Sequence, residues 1–301
     1  MSNIIHVIKK SGLSCALKKI KRRIFINDEN ITSLIAINGA YDYVQKYKYA
    51  LDFPLDTIST HFVNPYPNKI WTLWLQGFDN APEVVQKCIM VLQKQYGDDV
   101  IVLTNENITH FLDIPDFIVE KNKEGIITNT HYSDIIRFFL IEKYGGLWLD
   151  STIFLLGNIP DYIRFADIFF HKHIVNKTIS SINVMAAEPH HPIIRKTIAL
   201  LLEYWKNEKR TVSYTITSIC LAMAIHSSPK MESLWNSMPH VDCINKNLLE
   251  QRLFEKYETK HLEIMKQLSV LQKLSWKFPQ EKYKLQGTFY DEVVKKSGVL
   301  K

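Results

Sequence analysis

The sequence predicts an α/β fold with a mixed sheet, a basic helix at the N-terminus and a helical C-terminal part. Two stretches, 69–107 and 131–155, combine strand-like apolar runs with an amphipathic helix. This pattern is typical of helices that cover a largely parallel sheet. From residue 191 onward helical periodicity dominates.

The first stretch predicts a β-α-β unit. "KIWTLWLQG" (69–77) is rich in aromatic and branched residues and predicts a buried strand. "NAPEVVQKCIMVLQKQYG" predicts a helix, in which Asn80 and Glu83 have the spacing of a capping box. "DVIVLTNEN" (99–107) predicts the second strand.

The second stretch, "HYSDIIRFFLIEKYGGLWLDSTIF", predicts a helix followed by a strand. Ser133 is the expected N-cap, and Gly145 and Gly146 are the expected helix end. "LWLDSTIFL" then predicts a strand buried on both faces, so Asp150 is costly there unless it meets a partner or solvent at the strand end. Because ligands of open α/β sheets bind at the carboxyl ends of strands, Asp150 is a candidate ligand group.

The remaining chain is interpreted as one large domain with additions. "INVMAAEP" predicts a further strand, and helices are expected at 191–208, 214–226 and 247–274. No linker-like composition divides the chain. We expect residues 1–60 to be a basic, helical extension and residues 61–301 to be the main domain with helical additions.

The net charge of +6 is concentrated at the N-terminus. Residues 1–26 contain seven basic residues and no acidic one, so the net charge of the rest of the chain is 37 − 7 − 31 = −1. A nucleic-acid-binding body would need a basic face, so this class of function is disfavoured. The seven are Lys9, Lys10, Lys18, Lys19, Lys21, Arg22 and Arg23.

The basic segment also has a helical apolar stripe at Leu13, Leu17, Ile20 and Ile24. Such a helix suits peripheral contact with an anionic membrane, and it equally suits packing on the domain with a solvated basic face. The longest apolar run is shorter than the roughly 20 residues that span a bilayer, and the N-terminus does not resemble a signal peptide.

Four widely spaced cysteines argue against a zinc site or a disulfide framework. They are Cys15, Cys88, Cys220 and Cys243. We therefore expect a cytoplasmic protein, which the basic segment could place on the inner face of the plasma membrane.

Three charges inside the apolar stretch 131–154 need an explanation. Asp134 and Arg137 are three residues apart and could be an intrahelical ion pair. Their apolar surroundings instead favour a functional pair, because a buried pair with no function is often no better than an apolar one. Asp150 could cap the following segment or bond Ser151 or Thr152.

Aromatic and histidine residues are weaker candidates. Trp71 is interpreted as a core residue, whereas Trp74 lies near the strand end, where it could stack on a flat ring. Four histidines lack metal-ligand spacing, and most of them are expected at the surface or at helix caps. They are His171, His173, His190 and His191.

"SDIIRFFLIEKYGGLWLDSTIF" resembles the signature of glycosyltransferases with an SD-x-x-R…YGG-x-Y/W-x-D-x-D segment. It is most similar to the bacterial capsular polysaccharide synthesis proteins within glycosyltransferase family 32. "IWTLWLQGFDNAPEVVQKCI", "GIITNTHYSDIIR", "LLEYWKNE" and "LSWKF…GTFY" look like the same group. The resemblance covers roughly 69–290.

The resemblance implies a GT-A fold, a nucleotide-sugar donor such as a UDP-sugar, and retention of anomeric configuration. Trp74 matches the position that stacks on the base, and Asp134 and Arg137 match the pair that holds donor sugar hydroxyls. Asp150 matches the first aspartate of the metal-binding motif. The catalytic candidates are thus Asp134, Arg137 and Asp150, and the substrate-binding candidates also include Trp74, Gln76, Ser133 and Trp276.

Thr152 stands where the second aspartate of the motif would be. Asp150 could hold Mn²⁺ or Mg²⁺ with help from C-terminal groups, since hard cations prefer oxygen ligands. Alternatively, C-terminal residues could stabilise the diphosphate, with the basic Lys273 and Lys277 and the neighbouring Trp276 as candidates.

The expected function is transfer of a hexose from a nucleotide sugar to a glycan or lipid-linked glycan acceptor in bacterial surface polysaccharide synthesis. Two alternatives stay open: a catalytically weak nucleotide-sugar-binding protein and a sugar-phosphate transferase, which would release a nucleoside monophosphate.

Overall fold

The computed structural model describes residues 29–54, 64–172, 180–239, 241 and 244–297. The predicted basic helix, Cys15, Cys243 and His173 lie outside the described residues.

The chain forms two compact units. One unit, helical in its described residues, lies within Met1–Ile58, Asp113–Phe139 and Pro192–Asn236. The other, α/β in its described residues, lies within Ser59–Leu112, Leu140–His191 and Ser237–Lys301. The predicted boundary at residue 60 lies in a segment that the structure does not describe, so it stays a prediction.

The helices of the described residues have the following bounds. They are α1 (Glu29–Val44), α2 (Glu83–Tyr96), α3 (Ile108–Phe111), α4 (Asp116–Lys123), α5 (Asn129–Tyr144), α6 (Asp161–Arg164), α7 (Pro192–Asn207), α8 (Ile216–Ile225), α9 (Pro229–Ser237), α10 (Leu248–Gln251) and α11 (Thr259–Leu268). Short 3₁₀ segments occur at Gln45–Leu51, Phe78–Asn80, Gly97–Asp99, Ile244–Asn247 and Gln280–Lys284, and a π-helical segment at Tyr290–Lys295.

The α/β unit contains a mixed sheet. Its strands are β1 (Ile70–Leu73), β2 (Val100–Leu103), β3 (Gly146–Leu149), β4 (Ile153–Leu155), β5 (Ile168–His171), β6 (Ser181–Ala187) and β7 (Leu271–Lys273). The five-stranded sheet has the order β2-β1-β3-β6-β5, and β4 pairs with β7 in a second sheet. Strands β2, β1 and β3 are parallel, whereas β6 is antiparallel to β3 and β5. The predicted α/β class with a mixed sheet is confirmed.

The predicted β-α-β unit is β1-α2-β2. Strand β1 is buried along its whole length, and α2 buries the apolar stripe that contains Val85 and Ile89. The predicted capping box is wrong, because Asn80 ends a 3₁₀ turn and Pro82 is the N-cap, with no side-chain cap. Trp71 is fully buried, as predicted, and its indole N–H donates to the carbonyl of Gly145.

Helix α5 and strand β3 form the second predicted pair. The helix begins at Asn129, so Ser133 lies inside it and the predicted N-cap is wrong. It ends at Tyr144, where Gly145 and Gly146 adopt φ values of +65° and +89°, which L side chains rarely adopt. The predicted end of the helix is therefore confirmed.

After residue 149 the structure departs from the prediction. The expected strand 147–155 is divided between β3 and β4 by a turn, which leaves Asp150 directly after β3. The expected helix 247–274 is also divided, into α10, α11 and β7. Because β7 pairs with β4, a segment expected to be helical forms part of a sheet.

The helical unit has an apolar core of its own. All residues of α8 are buried, and α7 buries a stripe that includes Leu200, Tyr204 and Trp205. The predicted helices 191–208 and 214–226 are confirmed with slightly shorter bounds. Within the described residues, no helix combines the length and apolarity needed to cross a bilayer.

Candidate functional site

One edge of the main sheet gathers the strand-end candidates of the α/β unit. Strands β1 and β3 are parallel neighbours, so their carboxyl ends lie at the same edge. Trp74 directly follows β1 and Asp150 directly follows β3. The antiparallel β6 brings its amino end, at Ser181, to this edge. Strand-end edges of this kind are where α/β sheets bind ligands.

The Asp150 carboxylate is held on both oxygens. The indole N–H of Trp148 donates to Oδ1 at 3.0 Å, and the ammonium of Lys273 donates to Oδ2 at 2.8 Å. The same ammonium lies 2.5 Å from Oγ1 of Thr152. Asp150 and Lys273 side chains are 21% and 26% exposed, so the pair is partly shielded and still within reach of a solute. The Lys273 ammonium thus bridges Asp150 and Thr152, the two positions that correspond to the metal-binding motif.

A second lysine lies next to this group. Lys246, on the 3₁₀ segment Ile244–Asn247, is 8% exposed, and its ammonium donates to Ser181 Oγ at 2.5 Å and to Asn183 Oδ1 at 3.4 Å. The carbonyl of Asn183 accepts a hydrogen bond from the backbone N–H of Asp150 at 2.9 Å. One carboxylate and two ammonium groups therefore lie on neighbouring segments at this edge. Their excess of positive charge favours a polyanionic ligand.

Two tryptophans of the same unit are in contact through their rings. The rings of Trp74 and Trp276 lie edge to face, with centroids 6.1 Å apart and planes at 85°. Trp276 is 38% exposed, and the ammonium of Lys277 lies 5.5 Å from its ring centroid. The buried indole N–H of Trp74 has no acceptor among the described residues. The exposed Gln76 lies in the turn after β1, where its carbonyl accepts from Asn80.

The second set of candidates belongs to the helical unit. Asp134 and Arg137 form an ion pair on α5, with Oδ1 and Nη2 3.1 Å apart and side chains 9% and 6% exposed. Thr217, on α8, donates its hydroxyl to Oδ2 of Asp134 at 3.1 Å. The Arg137 Nη2 also donates to Ser133 Oγ at 3.2 Å.

This arrangement gives the pair a defined orientation. The i,i+3 spacing places Asp134 and Arg137 on one face of α5. Thr217 lies in the first turn of α8, where a carboxylate is favoured by the helix dipole. Such a held carboxylate and guanidinium can each bind a sugar hydroxyl through a charged hydrogen bond. The sequence identified the pair but not Thr217, which lies 83 residues away in the chain.

The donor set of Asp150 does not fit a divalent cation as it stands. Its two oxygens already accept hydrogen bonds from Trp148 and Lys273. Among the residues that the structure describes, no group of three or more His, Cys, Asp or Glu side chains could hold a metal. A bound cation would have to displace the Lys273 ammonium, so the metal requirement inferred from the resemblance stays a prediction.

The histidines differ from their predicted positions. His171 is 1% exposed and lies in β5, so a surface or capping position is wrong for it. His191 is 6% exposed and directly precedes α7, so it is buried at a helix start and a surface position is wrong for it. His190 pairs through Nδ1 with Glu142 Oε1 at 2.9 Å. Burial lowers the pKa of His191 to about 4, with a smaller opposing effect from Asp167.

The chain matches a known protein family over most of its length. The family model described as capsular polysaccharide synthesis protein matches residues 24–293. The chain belongs to this family. The matched range includes every candidate residue described above.

Curated relatives of this family member include fungal and viral proteins. The O-glycosyltransferase braB of Annulohypoxylon truncatum is 28% identical over 102 residues, 31% of this chain and 24% of the relative. The uncharacterized glycosyltransferase L373 of Acanthamoeba polyphaga mimivirus is 24% identical over 135 residues, 42% and 52% of the two chains. The O-glycosyltransferase PaGT of Phomopsis amygdali is 27% identical over 119 residues, 35% and 29%.

These alignments span between about a quarter and a half of the relatives' own lengths. Among solved structures, the PaToxG glycosyltransferase is similar over 90% of this chain and 97% of its own, with 12% identity and a TM-score of 0.38.

Proposed function

We propose that this member of the capsular polysaccharide synthesis family is a retaining glycosyltransferase of GT-A type. It would move a hexose from a nucleotide sugar, with a UDP-sugar as the first candidate, to a glycan or lipid-linked glycan acceptor of a bacterial surface polysaccharide. The observation that carries the proposal is the strand-end edge, where Asp150 follows β3 and Trp74 follows the neighbouring β1.

The chemistry of the edge suits the nucleoside diphosphate part of such a donor. Trp74 and Trp276 offer aromatic surface for a base. Lys273 and Lys246 supply positive charge for the diphosphate. Stabilising charge that develops on the leaving group is a major source of catalysis.

Asp134 and Arg137 are proposed as ligands of the donor sugar. Their mutual contact and the contacts to Ser133 and Thr217 fix both groups in advance. Fixed polar groups reduce the entropy lost when a flexible sugar is bound in its reactive orientation. In transfer, the acceptor hydroxyl bonds to the anomeric carbon as the bond to the diphosphate breaks. Attack from the side of the leaving group lets the diphosphate take the hydroxyl proton and retains configuration.

The experiment is a product analysis with the full chain. A panel of nucleotide sugars is incubated with the protein, and nucleoside diphosphate and monophosphate are separated by ion-exchange chromatography. Release of the diphosphate from one donor, and transfer of its sugar with retained configuration, are expected. Release of the monophosphate would indicate a sugar-phosphate transferase. Thermal stabilisation by a nucleotide sugar without any release would indicate a binding protein.

A further inference from the structure

The Lys273 ammonium occupies the space between the two side chains of the degenerate motif. It lies 2.8 Å from Asp150 Oδ2 and 2.5 Å from Thr152 Oγ1. In an Asp-x-Asp motif both positions would be carboxylates with a combined charge of −2, which suits a divalent cation. Here the hydroxyl of Thr152 leaves a charge of −1, which one ammonium balances.

The position of Lys273 is fixed by the strand that carries it. Strand β7 pairs with β4, with Lys273 opposite Ile153 and Leu271 opposite Leu155. The N–H of the next residue, Leu274, donates to the carbonyl of Thr152 at 2.9 Å. This backbone anchoring places the lysine on the motif without help from a ligand.

The preceding residue reinforces this anchoring. Gln272 is fully buried, and its side chain bonds the carbonyls of Ser269 and Asn245 and the N–H of Leu249. A buried amide with all these partners resists displacement, because breaking its hydrogen bonds would leave polar groups unpaired. Lys273 is therefore held on a rigid element, whereas a solvated lysine on a loop would move freely.

We propose that Lys273 is a built-in cation that takes the place of the divalent metal, and that Lys246 assists it in binding the diphosphate of a nucleoside diphosphate. The inference rests on the proposed function, since it assigns the charge that neutralises the leaving group of that reaction. Asp150 then serves as a positioning residue, which orients the Lys273 ammonium. Binding and transfer proceed without a metal.

The first test measures UDP binding by calorimetry in excess EDTA and in Mn²⁺. The wild type should bind UDP equally well in both. Lys273→Met should weaken binding at least tenfold, whereas Lys273→Arg, which keeps the charge, should lose much less. Lys284→Met, at an exposed lysine of the same C-terminal segment, is the matched control and should leave affinity unchanged. UDP affinity of the wild type that depends on Mn²⁺ would overturn the proposal.

The second test needs no nucleotide and measures Mn²⁺ directly by electron paramagnetic resonance. The wild type should leave Mn²⁺ free in solution. The double variant Thr152→Asp/Lys273→Met recreates two carboxylates without the lysine, and it should bind Mn²⁺. Binding of Mn²⁺ to the wild type, abolished by Asp150→Asn, would overturn the built-in cation. Because this readout is independent of sugar transfer, it separates failure of the cation assignment from failure of the proposed enzyme activity.

Discussion

Thr217 donates its hydroxyl to the Asp134 carboxylate across 3.1 Å, from a helix distant in sequence. Arg137 binds the other oxygen of the same carboxylate at the same distance. Asp134 is therefore restrained by two helices, and its ion pair with Arg137 is more than a local contact along α5. This restraint fits a sugar-binding group and also a structural one, and variants can separate the two.

Asp134→Asn keeps the side-chain shape and removes its charge. As a sugar ligand, Asp134 should contribute about 1.5–3 kcal/mol through a charged hydrogen bond. The variant should then transfer sugar roughly ten- to more than hundredfold more slowly. Affinity for the nucleoside diphosphate should change little, because that product lacks the sugar. Steady-state kinetics and calorimetry measure the two quantities.

Arg137→Leu and Thr217→Val provide the controls. Breaking a buried ion pair that serves only the fold costs about 3–5 kcal/mol, a fall in melting temperature of roughly ten degrees. Thr217→Val removes a neutral donor, so its effect on stability should be smaller. A strongly destabilised Arg137→Leu protein whose folded fraction still transfers sugar at the wild-type rate would contradict the sugar-binding role.

Trp276 should bind the base of the donor. Its half-exposed ring lies edge to face with Trp74. Stacking of a base on an aromatic side chain contributes about 1–3 kcal/mol. Trp276→Ala should therefore lower the affinity for UDP about five- to hundredfold and leave the affinity for inorganic pyrophosphate unchanged. Tyr162→Ala, at an exposed aromatic residue, is the control. Equal weakening of UDP and pyrophosphate would contradict a base-binding role.

Local patterns predict the helices and strands around the site, although the N-caps expected at Asn80 and Ser133 are wrong. Alternation and helical periodicity located β1, α2 and β2, and a carboxylate after an apolar run located Asp150 at a strand end. The placement of Lys273 could not be predicted in the same way. Leu271–Lys273 follows α11 closely and continues an amphipathic run, so its local pattern predicts a helix. Its pairing with β4 joins segments more than a hundred residues apart, and no local pattern reports such pairing.

The N-terminal basic segment predicts a membrane effect. Residues 1–26 contain the whole excess positive charge, and each basic residue near an anionic surface contributes about 1 kcal/mol. Deleting them should reduce cosedimentation with anionic vesicles and leave donor hydrolysis unchanged. Neutral vesicles serve as the control. Equal binding of the truncated and full-length proteins to anionic vesicles at physiological salt would exclude this role.

Gly146 should not tolerate a side chain. Its φ is +89°, and a Cβ there would collide with the backbone carbonyl of Lys69, which itself accepts the N–H of Leu147. Gly125, at φ +73° with open space around its Cβ position, is the matched control. Gly125→Ala should cost only the backbone strain of about 1–3 kcal/mol. Gly146→Ala should lower the melting temperature clearly more, and equal losses would show that the close approach to Lys69 is unimportant.

His191 should make stability depend on pH. It is buried, and its pKa in the folded protein is about 4, below the ordinary value of 6.5. Between these values the unfolded chain binds more protons than the folded one, so stability rises with pH and is lost as pH falls below 6.5. At pH 5 this loss amounts to about 1–2 kcal/mol relative to pH 7.5.

Chemical unfolding of the wild type and His191→Gln at both pH values checks this dependence. The variant lacks the titrating group, so it should lose about 1–2 kcal/mol less than the wild type on going from pH 7.5 to pH 5. His110→Gln removes an exposed imidazole and should behave like the wild type. The same loss of stability in the wild type and in His191→Gln would mean that His191 does not drive the acid sensitivity. The difference between the two variants thus isolates burial as the cause, because both remove one histidine.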